Sequence, residues 1–478
     1  MAADEFDTPA LWAPGSEPRA VSVWFWAAVA VFVVSRVYLL LAFAPLYSDV
    51  TLYFRYAVET WDFGRVPYLQ EKIEYPPLAY EVMTVPRWAD DNRISPAQAK
   101  RLNQTLDWDA SYAAYERPFR LLMGLAEGLS FVLFALTLAR LRPDLLTAGT
   151  WGYVVSTTLL AHVLYSRLDA GLLALVMLWA YAWTRLRHDS PRVWSSLAYL
   201  TVGLGISYKF VPVVTLPYLL LADWQVTGRR TSGGALARPL AYLGLGVLFP
   251  YLPLLRSSGW SALSWLHFHA ERGIEIESIY ATLMMVMAPW GFRIEAVHGS
   301  GCWNLVSSLA PILASASTWL LAAALLAMLL WVWCRKASYE RDDAFRIACL
   351  SILVAVTLSK VFSPQYLVWA VPLLLLLAAD VLDNRAFITL TCGIIFTALL
   401  TTAVFPYLFF EQGRSRLDFV DFNPYALVPN LHPLPCALLV LRNLLWMGAV
   451  VWVARATLAP LSFGARPGAT SAGQRSPD

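Results

Sequence analysis

Charge is what this chain has least of: Asp, Glu, Lys and Arg supply 14% of its 478 residues, against 58% hydrophobic residues. With a mean hydropathy of +0.54, that balance excludes a soluble globular domain and an intrinsically disordered chain. Cysteine is scarce as well. The five cysteines, at 302, 334, 349, 392 and 436, show no paired spacing, and most fall in apolar runs where a thiol behaves as a small hydrophobe. Neither a disulfide framework nor a zinc site is expected, and the net charge of +3 gives no reason to expect a nucleic-acid partner. No internal repeat is seen. The first twenty residues lack the basic start and small-residue cleavage site of a secretory signal, so the first apolar run reads as a retained anchor.

What the chain has in abundance is apolar runs long enough to cross a bilayer core, which takes about 20 helical residues. Hydropathy and loop charge give about twelve spans, at 22–46, 119–139, 147–165, 169–186, 194–208, 210–223, 239–255, 308–334, 346–361, 364–381, 386–408 and 434–455. The expected fold is an all-α polytopic membrane protein. Arg140, Arg142, Arg185, Arg187, Arg192, Arg229, Arg230, Arg238, Arg335, Lys336, Arg341 and Arg385 fall on one side of that count, which makes that side cytoplasmic. The organisation that follows is a cytoplasmic segment 1–20, a polytopic domain 21–460 and a disordered cytoplasmic tail 461–478. The long loops 47–118, 256–307 and 409–433 lie outside, and they hold most of the acids and aromatics.

The first outer loop is the richest in chemistry. Read as a helix, 48–59 places Asp49, Tyr53 and Tyr56 on one face of an amphipathic segment at the membrane surface. Asp49 is then either a helix-terminal acid favoured by the macrodipole or a base that takes a proton from a sugar hydroxyl. Trp61, Tyr68 and Tyr75 offer stacking faces. In EYPPLAY, the two prolines hold Glu74 and Tyr75 on a stiff corner, as a site or as an ordinary turn. Asp90, Asp91, Asp107, Asp109 and Glu116 read as solvated or juxtamembrane.

Later polar residues stand where hydration is costly. Arg167 and Asp169, two apart in SRLDAG, could form an ion pair with each other. Lys209, between two apolar runs, is expected to snorkel, pair or bind an anion. Arg272 precedes Glu275 and Glu277, and a guanidinium fork matches phosphate oxygens. His267 and His269, two apart, lack the four-residue step that aligns two imidazoles on a helix. They read as phosphate contacts or interfacial residues more readily than as a metal pair. Lys360 and Gln365 form a further polar patch, with Ser363-Pro364 a helix start.

In that order, the motifs SDVTLY, GRVPY, EYPP, SRLDAGLLALVMLWA, GLGISYKFVPVVTLP, ERGIEIES and SKVFSPQYLVWAVPL resemble those of glycosyltransferase family 87, mannosyltransferases of the GT-C superfamily. The resemblance covers most of residues 36–375. It implies a GT-C-like helical bundle in the bacterial plasma membrane, with an extracytoplasmic active site. It further implies an inverting transfer of a sugar, mannose in that family, from a polyprenyl-phosphate donor to a lipid or glycan acceptor. Asp49 matches the catalytic acid, and Lys209 and Arg272 match the donor-phosphate positions. Tyr53, Glu74, Tyr75, Arg167, Asp169, Glu277, Lys360 and Gln365 are the expected substrate-binding residues, with no metal and no cofactor beyond the lipid-linked donor. The chain departs from the family in having SRLDAG where Phe-Asp or Tyr-Asp is frequent, which bears on substrate identity. The rival readings are a transporter or lipid flippase, which suits many spans with charges at their ends, and a non-catalytic scaffold.

Overall fold

The computed structural model describes residues 22–46, 48–90, 93–95, 97–98, 109–186, 191–228, 236–299, 302–335, 339–408 and 431–459. Segments 1–20 and 461–478, and most of the loop 409–433, lie outside the described residues. Each of the twelve apolar windows holds helix. In chain order the elements that matter are α1 (Val23–Leu41), α2 (Val50–Trp61), α3 (Pro77–Trp88), α4 (Asp109–Leu141), α5 (Leu146–Leu159), α6 (Asp169–Arg185) and α7 (Pro191–Lys209). They continue as α8 (Leu216–Gly228), α9 (Ala237–Leu248), α10 (Tyr251–Ser258), α11 (Trp265–Glu271), α12 (Ile279–Met287) and α13 (Ala310–Cys334). The last are α14 (Arg341–Leu358), α15 (Tyr366–Val381), α16 (Asn384–Thr402) and α17 (Pro433–Leu458).

Among the described residues, five stretches are long and apolar enough to cross a membrane: Val23–Leu41, Ser111–Leu141, Ala310–Cys334, Asn384–Leu408 and Pro433–Leu458. Ala237–Leu248 and Tyr251–His269 make a sixth if a span bends by 50°. Length and composition thus support five or six spans where the sequence suggested about twelve. The shortfall has a physical reason: helices such as α15, with 16 residues, are shorter than a bilayer core requires. Their burial sets them apart from the exposed helices. Residues 367–379 of α15 are all buried, so this helix is the centre of the bundle, whereas α13 keeps only Ser317, Met328 and Val332 buried.

The polar ends of the helices sort into two groups. At one end, Arg142 donates to the carbonyls of Ala379 (3.1 Å) and Leu382 (3.0 Å), Arg341 pairs with Asp223 (3.1 Å) and Arg346 with Asp380 (2.8 Å). Since α6, α7, α14 and α15 each run from one end to the other, Asp169, Lys209, Ser359 and Gln365 must gather at the opposite end. These are the two loop sets that charge asymmetry separated in the sequence.

Two glycines set the spacing that delivers Lys209. A Cβ on Gly203 of α7 would sit 2.5 Å from the Leu243 carbonyl oxygen of α9 and 3.0 Å from the Gly246 Cα. Backbone therefore meets backbone there, as small residues allow in membrane helix pairs.

The outer loop 256–307 carries a hairpin in which β1 (Glu295–Gly299) pairs antiparallel with β2 (Cys302–Val306), Glu295 opposite Val306. Two sequence expectations need correction. Helix α2 does not rest on a surface by one face, since Val50, Thr51, Tyr53, Phe54, Tyr56, Ala57 and Val58 are all buried, against α3 and the outer turns of α4. Glu116 is not solvated but 7% exposed, because α4 continues outward and packs Tyr115 and Phe119 against Phe54 and Tyr53. Asp90 is drawn in with it, bonded to the buried Arg87 at 2.6 Å, which also holds Asp62 at 2.8 Å. Asp91 and Asp107 lie outside the described residues.

Candidate active site

Asp49 stands at the N-cap position of α2, yet its carboxylate makes no capping bond. Ser48 does that work, its Oγ accepting from the Val50 amide at 3.2 Å. The Asp49 amide instead donates to the Ser166 carbonyl at 3.2 Å, and its carboxylate pairs with Arg167. Asp49 thus occupies the helix-terminal position while its carboxylate is held by an arginine. A charge that is only 12% exposed is held by a partner from a distant part of the chain.

Arg167 and Asp169 do not pair with one another, which corrects the simplest reading of SRLDAG. Asp169 opens α6 and Lys209 closes α7, ends at which the helix dipoles favour their respective signs. Lys209 Nζ lies 2.6 Å from Asp169 Oδ1, and the Trp369 indole donates to the same oxygen at 2.8 Å. The Tyr366 ring lies under the ammonium at 4.5 Å, a cation–π contact that holds it without neutralising it. Gly171 leaves room for Tyr208, whose hydroxyl takes the space a Cβ would need and donates to the Leu168 carbonyl at 2.9 Å.

The Pro-Pro corner is built as expected, with Pro76 extended and Pro77 beginning α3. It delivers Tyr75 to Tyr53, hydroxyls 3.2 Å apart and rings edge-on at 5.6 Å. Glu74 beside them is partly buried. Burial raises its pKa, opposed chiefly by the nearby Arg272 and by a bond from Tyr75.

Residues 272–278 form the opposite wall. The Glu275 amide donates to the Lys360 carbonyl (3.0 Å), the Ile276 amide to Trp303 (2.8 Å), and Leu305 donates back to Ile274 (2.9 Å). The segment is thus held between β2 and the turn before α15. In that turn, Ser363 donates to the Gln365 side chain at 2.9 Å. Among the described residues, no carboxylate lies within ion-pair distance of Arg272, and its buried Nε has no hydrogen-bond partner. Its neighbour is the Cys302 thiol, which burial pushes up to about 11 and so keeps neutral.

Lys209 feels Arg167 and Arg272, and Lys360 feels Arg272. Four cations thus lie near one another, two of them paired with Asp49 and Asp169. Gathering like charge is unfavourable unless an anion joins it.

Contacts join several of the expected site residues, Asp49 to Arg167, Asp169 to Lys209 and Tyr53 to Tyr75. His267 and His269 do not act together: His267 meets Glu271 at 3.0 Å on the surface, whereas His269 lies against Trp265 and Phe268 and faces Arg272, Lys209 and Lys360. Sequence reasoning passed over Arg442 and Asn443, although an arginine inside an apolar run is itself a signal. Arg442 is fully buried in α17 and donates to Glu277 Oε1 at 3.0 Å. Asn443 donates to the Glu277 carbonyl at 2.9 Å. The aromatic floor of Tyr366 and Trp369 was passed over too, since buried aromatics are unremarked in an apolar run.

No protein-family model matches the chain, and no curated protein matches it. Among solved structures it is similar to ArnT from Cupriavidus metallidurans bound to undecaprenyl phosphate, at 15% sequence identity and a TM-score of 0.47, over 92% of this chain and 78% of that one.

Proposed function

We propose that this chain is a GT-C-type inverting glycosyltransferase that moves mannose from a polyprenyl-phosphate donor to a lipid or glycan acceptor. The observation that carries the reading is the set of cations Arg167, Lys209, Arg272 and Lys360 near one another beside a carboxylate at the end of a membrane bundle. Arg272, with its unpartnered Nε, is the element that most plainly awaits an anion. A phosphate carried by a membrane lipid arrives at that depth.

In this reading Lys209 and Arg272 bind the donor phosphate and stabilise the charge that grows as it leaves. Tyr75 and Tyr366 give the sugar aromatic faces, Tyr53 supports Tyr75 from behind, Asp169 holds Lys209, and Glu74, Gln365 and Lys360 supply hydroxyl contacts. The acceptor oxygen attacks the anomeric carbon, the carbon–oxygen bond to phosphate breaks on the opposite face, and Asp49 takes the acceptor's proton. A single displacement inverts the anomeric centre. The lysine and arginine supply the positive charge that the departing phosphate needs, so the reading calls for no cofactor. The reacting end belongs to the extracytoplasmic side of the bacterial plasma membrane, because the opposite end carries the arginine-rich loops.

The test is transfer of radiolabel from polyprenyl-phosphate mannose into lipid and glycan acceptors, in membranes holding wild type or Asp49→Asn. Transfer that the Asn variant loses supports the reading. Full transfer by Asp49→Asn at equal expression removes Asp49 as the base, and absence of transfer by folded wild type from any polyprenyl-phosphate sugar removes the reaction class.

A further inference from the structure

Arg36 of α1 and Glu127 of α4 are charged side chains inside the bundle that take no part in the proposed reaction. Glu127 is fully buried and Arg36 is 6% exposed. All five N–H donors of the Arg36 guanidinium are satisfied. Nε and Nη2 reach the Glu127 carboxylate at 3.1 and 2.6 Å, Nη2 also reaches Thr157, and Nη1 reaches Ser35 (2.9 Å) and Thr158 (2.6 Å). Each threonine gives its own proton to α5, Thr157 to the Tyr153 carbonyl (2.8 Å) and Thr158 to that of Val154 (2.6 Å), which turns both hydroxyls into acceptors. Glu127 Oε2 then accepts from the Tyr165 hydroxyl at 2.7 Å.

Stability does not account for this network, since apolar side chains of similar volume hold helices together as well as a buried ion pair does. An ionisable pair inside a membrane bundle points to function, and Tyr165 leads to it. The next two residues both hold Asp49: the Ser166 carbonyl accepts from its amide at 3.2 Å, and Arg167 pairs with its carboxylate. On the other side of Tyr165, His162 Nδ1 accepts from the Leu46 amide at 3.4 Å, and Ser166 Oγ donates to the His162 carbonyl at 2.5 Å. Segment 162–167 thus grips the chain at Leu46 and again at Asp49.

We propose that Arg36, Glu127 and Tyr165 are positioning residues for the candidate base: the buried ion pair fixes the Tyr165 hydroxyl, Tyr165 anchors segment 162–167, and that segment sets where the Asp49 carboxylate stands. The backbone there needs an anchor, because residues 165–168 lie between helices and have no ladder of their own. A carboxylate held in a guanidinium fork is fixed in direction as well as distance, which packed aliphatic groups do not provide. Misplacing a reacting group by about 1 Å costs up to about 10²-fold in rate. His162 is separately held by the Tyr407 hydroxyl at 3.1 Å, so loss of the Tyr165 anchor should loosen the segment without unfolding it.

This inference rests on the transferase reading only for its kinetic part, so the test has two readouts on the purified full chain in detergent. Tyr165→Phe removes the hydroxyl and leaves the ion pair. Arg36→Met/Glu127→Leu removes both charges, keeps most of the stability and leaves Tyr165 without its acceptor. Hydrogen exchange of the Leu46 and Asp49 amides should quicken about tenfold in both variants, while α15 and α17 exchange as in wild type. In the mannosyl-transfer assay, kcat should fall about tenfold with donor KM within about twofold. Unchanged exchange at Leu46 and Asp49 in Tyr165→Phe overturns the proposal whether or not transfer is found. Exchange that quickens equally throughout the protein overturns it too, because the network then serves stability alone. Local quickening in the variants, with no transfer by wild type, upholds the anchoring and rejects the reaction.

Discussion

Arg167 is bound to Asp49, while Asp169, two residues further along the chain, is bound to Lys209 on another helix. The crossed pairing places both acids on separate cations, and the two pairs have different consequences. Asp49 is paired with an arginine and remains 12% exposed. Asp169, 3% exposed and further bonded by Trp369, is fixed.

Asp49→Asn should therefore lower transfer by about 10²- to 10⁴-fold, the usual weight of a general base, with donor KM changed little. The near-isosteric amide keeps the shape of the loop but removes the charge that faces Arg167, so the variant should fold with a lowered melting temperature. Label transfer from polyprenyl-phosphate mannose, measured as kcat and KM separately, checks this. A loss confined to KM would make Asp49 a binding residue.

Lys209→Met should both weaken donor binding and destabilise the fold, because it strands Asp169 as a buried charge, a loss of about 3–5 kcal/mol. The double variant Lys209→Met/Asp169→Asn separates the two effects. Stability should return with the second change, while donor KM stays raised. Chemical unfolding in detergent and donor titration, run on all three proteins, read the two quantities independently.

Glu275 gives a prediction about pH and stability. Burial raises its pKa, chiefly against the pull of Arg272 and Arg442, and one carboxylate oxygen has no hydrogen-bond partner. A carboxyl that binds its proton more tightly folded than unfolded adds stability below its unfolded pKa, and that stability is lost as pH rises through the higher folded value. Glu275→Gln should thus match wild type near pH 4 and be the more stable protein on the alkaline side, by about 1–3 kcal/mol, the cost of an unsatisfied buried group. Melting temperature against pH for the two proteins tests it, and parallel curves would sink it.

How far these groups could be read in the sequence depends on where their cost shows. Asp49, Lys209 and Arg272 sit at the edges of apolar runs, where a charge is conspicuous, and the motifs around them lend further weight. Their partners could not be read. Which acid Arg167 takes depends on the approach of α2 to the start of α6, a tertiary fact, and local spacing pointed to Asp169 instead. Which apolar runs are full spans could not be read for a related reason. A buried central helix such as α15 and a lipid-facing helix such as α13 look alike in hydropathy, and only packing tells them apart. The β1–β2 hairpin escaped because EAVHG and CWNLV are too short to show a period.

A buried ion pair outside the expected site residues gives a prediction about stability. Arg36 of α1 bonds Glu127 of α4 through Nε at 3.1 Å to both oxygens, and the Tyr165 hydroxyl donates to the same carboxylate at 2.7 Å. Glu127 is fully buried. Glu127→Ala should cost about 3–5 kcal/mol by stranding Arg36, whereas Arg36→Met/Glu127→Leu, which removes both charges, should recover most of it. Unfolding free energies of the single and double variants decide the matter, and equal losses in both would show that the pair acts through packing.

The contact of α7 with α9 predicts opposite signs for one substitution at two glycines. Gly203→Ala places a methyl 2.5 Å from the Leu243 carbonyl oxygen, a backbone atom that cannot rotate away, so the helices must part. Overpacking of that kind costs about 1–3 kcal/mol, and the displacement is carried by α7 to its last residue, Lys209. Gly244, on α9, has nothing within 4 Å of an added Cβ, so Gly244→Ala gains only helix propensity, about 0.5–1 kcal/mol. Gly203→Ala should therefore melt lower and bind donor more weakly, and Gly244→Ala should melt at or above wild type with donor KM unchanged. If both variants melt alike, α7 does not depend on close backbone contact for its position, and the placing of Lys209 must come from its bond to Asp169 alone.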